Sequence, residues 1–357
     1  MTTVKIAAHM PLLYTPKFWA PAKAYENYTP DIEGAKLEGA EYARKHGLEP
    51  AFRLLERPEG ASMAFLTDLQ QDFRDHGRLP VTGTDDVVLR CASRLINGFI
   101  SGHYAGLKRS KDGHPPVHVS FGTYFRTQTG ELFDLRTRKA SILALEDDKK
   151  CIFKATCFDP SDGSPVDAGY IQPMYKPHEC VAYNHYLEST GQAPQWAFAQ
   201  HCELGTDGES FHPLIVEAVA FASGLRSFVP GLVSKGHIME WDWYGPLCSC
   251  GGYSEDPNIV PVITHPQGGF QKDIVDGFKP FRSVEFFGVA EDFCDYWMKK
   301  QSRWYFRGTE FLKKMVFVED GTAPIVPNAQ HVKTQNAEAR AEGVKFIKHD
   351  TPFAQSL

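Results

Sequence analysis

Long apolar runs are missing from this 357-residue chain, and no stretch approaches the ~20 residues that a membrane-spanning helix needs. The first ten residues, Met1 to Met10, lack the apolar core of a secretory leader. Strong charge of one sign is also lacking. A formal net charge of −6 gives nucleic acid or an anionic membrane no electrostatic hold. Cysteine is sparse: eight thiols over this length cannot staple a disulfide scaffold, and their spacings make no pair of C-x-x-C zinc knuckles. Cys248-Ser249-Cys250 is a C-x-C, a poor metal signal by itself. Internal repeats and low-complexity tracts are absent. These gaps lead to the expectation of a soluble globular protein of the reducing cytoplasm, with neither nucleic acid nor membrane as partner.

What is present is ordinary core-forming material, 42% hydrophobic and 23% charged, enough for one large or two modest domains. Residues 1–58 read as an N-terminal extension. Ala35, Leu37, Ala40 and Ala43 recur at near-helical spacing and predict a helix over Glu33–His46, packed on a neighbouring element or a partner subunit. Residues 59–357 read as one domain with six β-prone runs: Met63–Thr67, Val117–Phe121, Phe228–Val233, Val284–Val289, Met315–Val318 and Val344–Ile347. Helical patterns alternate with them at Asp85–Leu107, Glu209–Ser227, Glu291–Phe306 and Ala329–Glu342. Continuous apolar strands alternating with helices predict a three-layer α/β/α fold on a doubly wound, mostly parallel six-stranded sheet. The stretch at about 125–198, with its Asp159–Pro165 turn cluster, interrupts the rhythm and reads as an insertion that forms a lid or an interface.

In an open parallel sheet, ligands bind beyond the carboxyl ends of the strands. Three reactive residues immediately follow predicted strands: Asp68, Lys235 and Cys294. In Val284 to Trp297 an apolar run meets Gly288, and a helix-compatible segment then carries Cys294 in its first turns. Unpaired N–H groups and the helix dipole favour thiolate at such a place, whereas a plain core cysteine would not titrate. Asp68 read by itself serves equally as a cap, and Lys235 as a solvated strand end. Their joint position at strand ends favours an acid, a base and a thiol gathered on one rim.

The motifs around these residues make the chain resemble the isochorismatase-like cysteine hydrolases, the superfamily of nicotinamidases and N-carbamoylsarcosine amidases. Asp68-Leu69-Gln70-Gln71-Asp72-Phe73 resembles the end of that family's first strand. Lys235-Gly236 with Tyr244, Gly288 to Cys294, and Phe198 to Thr206 with its His201-Cys202 are similar to later landmarks, in the family's order. The resemblance implies Cys294 as nucleophile, Asp68 as general acid–base and Lys235 as the neighbouring cation. It also implies an oxyanion hole from the backbone N–H groups of Ala290 and Cys294, with a cis peptide at Val289–Ala290.

Nicotinamidases carry Asp-x-His after the second strand, and these side chains with a later histidine bind metal. With the second strand read at Val117–Phe121, Gly122 and Tyr124 stand where Asp and His belong, leaving His201 as a remnant candidate. The expectation is therefore no metal and no cofactor, with nicotinamide disfavoured as substrate. Phe73, Phe198 and Tyr244 are expected to line the substrate pocket, with Trp241 and Trp243 as further candidates, and His265 to Gly269 reads as a turn bordering the site. The functional expectation is a metal-independent hydrolase of C–N bonds in a small amide or carbamoyl compound, assembled as a homo-oligomer. Two alternatives stand beside it: an isochorismatase-type vinyl-ether hydrolase, which has no use for the thiol, and an inactive member serving as a binding protein.

Overall fold

The computed structural model describes residues 6–136, 140–159, 163–190, 194–250 and 269–355. In chain order, helices α1 (Ile32–His46) and α2 (Ala51–Leu55) precede strand β1 (Ser62–Thr67), α3 (Thr84–Ser101) and β2 (Tyr104–Asp112). Then come β3 (Phe125–Thr127), β4 (Ala140–Asp147), β5 (Ile152–Phe158), β6 (Pro165–Pro173), α4 (Pro177–Ser189) and β7 (Gln195–Phe198). The chain continues through α5 (Pro213–Arg226), β8 (Gly231–Lys235), α6 (Lys272–Asp276), β9 (Val284–Val289) and α7 (Cys294–Phe306). It closes with β10 (Met315–Ala323), α8 (Gln330–Ala341) and β11 (Lys345–Ile347).

Every residue of β1 is buried, because the strand has neighbours on both edges and helices over both faces. The period of two along a strand divides its side chains between two cores. Met63 and Phe65 join Met298 of α7 and Ala339 of α8, while Ala64 and Leu66 join Val88 and Leu95 of α3 and Phe221 of α5. The sheet order is β11-β10-β9-β1-β2-β8, with every pairing parallel. This is the three-layer, doubly wound architecture that the sequence predicts. From β1 the chain proceeds to β2 and β8 on one side and later returns to β9 on the other. The crevice between β1 and β9 is thus the point where the winding reverses.

Three of the sequence readings need correction. The second strand is Tyr104–Asp112, not Val117–Phe121, and α3 ends at Ser101 where Gly102 adopts a left-handed cap. The 125–198 insertion folds into an antiparallel sheet of order β3-β6-β5-β4-β7, with α4 between its last two strands in sequence. The β-prone run at Phe228 shifts as well, since β8 begins only at Gly231.

The N-terminal extension packs on its own chain. Helix α1 crosses α5 where two glycines meet. A Cβ at Gly39 would lie 2.1 Å from the Phe221 carbonyl oxygen, and one at Gly224 would lie 2.0 Å from that of Lys36. Asp31 caps α1 by accepting the Gly34 N–H at 2.9 Å. Buried Glu38 accepts hydrogen bonds from Tyr14 Oη and the Lys17 N–H, which ties the preceding segment down. Among the described residues, no helix is long and apolar enough to cross a membrane.

Candidate active site

Four neighbouring strands, from β9 to the edge strand β8, end side by side, and parallel neighbours lie about 4.8 Å apart. Reading across β9, β1, β2 and β8, the residues at or just past their carboxyl ends are Cys294, Asp68, Asp112 and Lys235. Lys235 pairs in register with Asp112, and its long side chain reaches back over β2 toward β1. Its Nζ lies 2.8 Å from Asp112 Oδ1, 3.1 Å from Asp68 Oδ2 and 3.5 Å from Cys294 Sγ. The Asp68 and Asp112 carboxylates and Cys294 Sγ fall within 4.8 Å of one another. The structure thus brings together all three residues that the strand-end argument selected, and adds Asp112.

Local backbone explains the close approach. Gly288 has φ +124°, and a Cβ there would sit 2.0 Å from the Thr67 carbonyl oxygen, so only glycine lets β9 approach the end of β1. The Val289–Ala290 peptide is cis. Cys294 is the first residue of α7, where a helix leaves N–H groups without intrahelical acceptors. Asp68 takes a left-handed φ of +45°, a conformation Asp tolerates, and its own N–H donates to the Ser110 carbonyl.

The site is nearly dry, and burial sets its charges. Burial pushes the Cys294 thiol well above its ordinary range, against the pull of Lys235. The Asp68 and Asp112 carboxylates add to the effect of burial on this thiol. Burial also raises Asp68, opposed by Lys235 and by Ser110 Oγ, which donates to Asp68 Oδ1 at 2.6 Å. For Lys235 itself, burial favours loss of the proton, but Asp112 and Asp68 outweigh it and hold the ammonium.

Asp112-Gly113-His114 follows β2 and corrects the expectation of missing metal partners. Gly122 and Tyr124, which seemed to occupy that place, instead form a short 3-10 turn further on. Ligand atoms of Asp112, His114 and His201 lie within 4.8 Å of one another, all buried. The Nδ1 atoms of His114 and His201 face the backbone carbonyls of Gly236 at 3.0 Å and Ala199 at 2.7 Å. His114 Nε2 lies 3.3 Å from Asp112 Oδ2, and outer hydrogen bonds of this kind orient metal-binding imidazoles. Burial and neighbouring His114 hold His201 down at about 3, so it stays neutral and able to ligate. One carboxylate and two imidazoles fit a divalent ion with positions to spare. His201 is therefore one of three clustered donors, not a remnant.

Gln70 and Asp72 position this cluster, a role the sequence reading did not assign. Gln70 grips the backbone of Asp112, accepting its N–H at 2.7 Å and donating to its carbonyl at 2.8 Å. Asp72 Oδ2 accepts the Cys202 N–H at 2.7 Å and anchors the loop bearing His201.

Phe73, Phe198 and Tyr244 line the buried cavity beside Cys294, together with Phe293, Leu79, Ile325 and Asp242. Trp241 packs instead on the rings of Tyr183 and Tyr186, and Trp243 is buried away from the cavity. Residues 265–268 of the expected turn lie outside the described residues. The cavity has room for about 20 Å³, one water. Phe198 also borders an outer chamber of about 560 Å³ lined by Arg78, Thr123, Leu135, Arg136 and Gln200, and so partitions the two. The inserted sheet places this ring: Phe198 ends β7, pairs with Ala140 of β4, and donates its N–H to the Ser120 carbonyl at 2.7 Å.

No protein-family model matches this chain, and no curated protein matches it. Solved structures do. Yeast nicotinamidase Pnc1p bound to nicotinaldehyde is similar at 14% identity and TM-score 0.49, over 81% of this chain and 100% of that one. A nicotinamidase/pyrazinamidase from Acinetobacter baumanii is similar at 17% identity and TM-score 0.44, over 82% and 98%. An N-carbamoylsarcosine amidase from Thermoplasma acidophilum is similar at 12% identity and TM-score 0.38, over 82% and 98%. At these identities the likeness is one of fold alone.

Proposed function

We propose that this protein is a cysteine hydrolase that cleaves the C–N bond of a small amide or carbamoyl compound through a thioester acyl-enzyme. The observation that supports this reading is the meeting of Cys294 Sγ, the Asp68 carboxylate and the Lys235 ammonium in a buried cavity where the winding reverses. In the proposed cycle Cys294 Sγ attacks the carbonyl carbon while its proton passes to Asp68. Because burial keeps the thiol protonated, transfer accompanies attack. The tetrahedral oxyanion is taken up by the backbone N–H groups of Ala290 and Cys294. Collapse breaks the C–N bond, the leaving nitrogen takes the proton from Asp68, and the acyl group remains on sulfur. Water then attacks the thioester and gives a proton to Asp68; the carboxylic acid leaves and the sulfur regains its proton. Lys235 keeps Asp68 ionised between steps.

We further propose that Asp112, His114 and His201 hold a divalent metal ion. When bound, such an ion supplies a Lewis acid that fixes a lone pair of the substrate. This reading restores nicotinamide and other flat heteroaromatic amides as candidates, which the expected absence of metal had disfavoured. Substrate reaches the cavity from the outer chamber past Phe198.

Two measurements test the proposal. Ammonia release from nicotinamide, benzamide and N-carbamoyl amino acids is expected for at least one compound, and Cys294→Ala is expected to lower it about a thousandfold or more. Silence across the panel, or full activity in Cys294→Ala, sinks the thiol mechanism and favours a vinyl-ether hydrolase or a binding protein. Metal content is expected near one divalent ion per chain after zinc loading, and near zero in a His114→Ala/His201→Ala variant.

A further inference from the structure

Asp242 stands in the wall of the catalytic cavity, and neither the proposed acyl transfer nor the metal cluster uses it. It lies seven residues beyond Lys235, in Trp241-Asp242-Trp243-Tyr244. The residue is only 4% exposed and shares the cavity wall with His114, Tyr244 and Cys294. Its Oδ1 accepts the Trp243 N–H at 2.7 Å. Its Oδ2 is buried and takes no well-formed hydrogen bond among the described residues, although the Tyr244 hydroxyl interacts with the carboxylate. The one ammonium in the site, Lys235, is already held by Asp68 and Asp112.

A carboxylate oxygen shut away from water is costly unless a donor satisfies it. Asp68 and Asp112 have resident partners; Asp242 has half of one. Burial raises this acid to about 6, against the pull of His114, Lys235 and the Trp243 N–H. Four aromatic rings, Phe73, Phe198, Phe293 and Tyr244, frame the slot together with Leu79 and Ile325. An orphaned acceptor in such a slot is met by the molecule that fills it.

We propose that Asp242 is a specificity-determining residue, whose Oδ2 accepts a hydrogen bond from an N–H, O–H or ammonium group of the substrate. The preferred substrate is then a flat amide carrying a second polar donor on the part that faces the His114 side of the cavity. A plain aryl amide leaves this oxygen unsatisfied and is discriminated against, as sites built around a hydrogen bond reject analogues that lack it. This inference rests on the hydrolase reading for the placing of the scissile carbonyl at Cys294.

The test is binding, kept separate from turnover. Zinc-loaded Cys294→Ala protein is titrated calorimetrically with nicotinamide and with each of its ring-amino isomers. At least one amino isomer is expected to bind about tenfold or more tightly than the parent. That preference is expected to fall to within about threefold when Asp242→Ala is added, with Asp242→Asn intermediate. Zinc affinity, measured by chelator competition, is expected to hold in all three. Equal binding of parent and isomers, or a preference that survives Asp242→Ala, overturns the proposal. A loss of zinc affinity in Asp242→Ala with the ranking intact places the residue behind the metal cluster and overturns it too. Ammonia release by the wild-type protein reports on the hydrolase reading independently, so failure of one is not mistaken for failure of the other.

Discussion

Lys235 Nζ lies 2.8 Å from Asp112 Oδ1, so the cation of the proposed catalytic trio also touches the carboxylate of the metal cluster. One ammonium couples the two halves of the site. In Lys235→Met, Asp68 and Asp112 become adjacent buried carboxylates with nothing to balance them, and at least one must take a proton. Activity is expected to fall about a thousandfold, because Asp68 can no longer stay ionised. Steady-state ammonia release across pH 5–9 checks this. A variant losing less than about tenfold would show that Lys235 is not needed to hold the base.

Alkylation of Cys294 should be slow at neutral pH. The buried thiol is pushed well above its ordinary value. Because that value is raised, the thiolate fraction falls at any given pH, and the rate limb moves to higher pH. Iodoacetamide labelling followed by mass spectrometry is expected to rise only above about pH 9, later than for an unstructured cysteine near 8.5. Labelling that levels off below pH 7 would mean a resting thiolate and a different first step.

At the opposite end of the sheet, Glu285 supplies an acid-sensitive brace. Arg94 Nε and Nη2 grip its carboxylate at 2.8 and 3.1 Å, with His103 Nε2 at 2.8 Å and Tyr104 Oη at 2.5 Å. Burial would raise this acid, but His103 and Arg94 bring it down to about 2. A folded value below the unfolded one, near 4.3, means stabilisation that is complete above that value and lost as pH falls toward 2. Urea unfolding between pH 6 and 2.5 should show this acid slope. Glu285→Gln should flatten it while costing about 3–5 kcal/mol at neutral pH, because Arg94 is left buried with a neutral partner.

Gly39→Ala tests whether the N-terminal segment is part of the fold. Its new Cβ would meet the Phe221 carbonyl at 2.1 Å, a backbone atom that cannot swing away. A loss of about 1–3 kcal/mol is expected in chemical denaturation, with kcat changed by less than about threefold. Unchanged stability would mean that α1 docks loosely on α5.

Much of this architecture was legible because β1 and β9 are continuous apolar runs and because Asp68, Lys235 and Cys294 follow strands. Strand β2 was not legible. Its middle reads Leu107-Lys108-Arg109-Ser110-Lys111, too charged for an internal strand. In the structure those charges are spent locally: Lys108 donates to the Ile274 carbonyl and lies over Phe278, and Arg109 lies over Phe211. Long basic side chains laid along apolar surface hide a strand from a hydrophobicity pattern. That single displacement hid Asp112 and His114, and with them the proposed metal cluster. The inserted sheet was missed for another reason: β5 and β6 at its middle are half-exposed and pair with one another, so no buried run announces them.

Phe198 closes the side sheet and at once leads into Ala199, Gln200 and His201. An accessory module therefore shares one stretch of chain with the reaction chamber, with no hinge between them. Lineages could retailor which molecules are admitted by remodelling the module's hairpins, leaving the strand-end chemistry untouched; deleting the module outright would take a chamber wall with it.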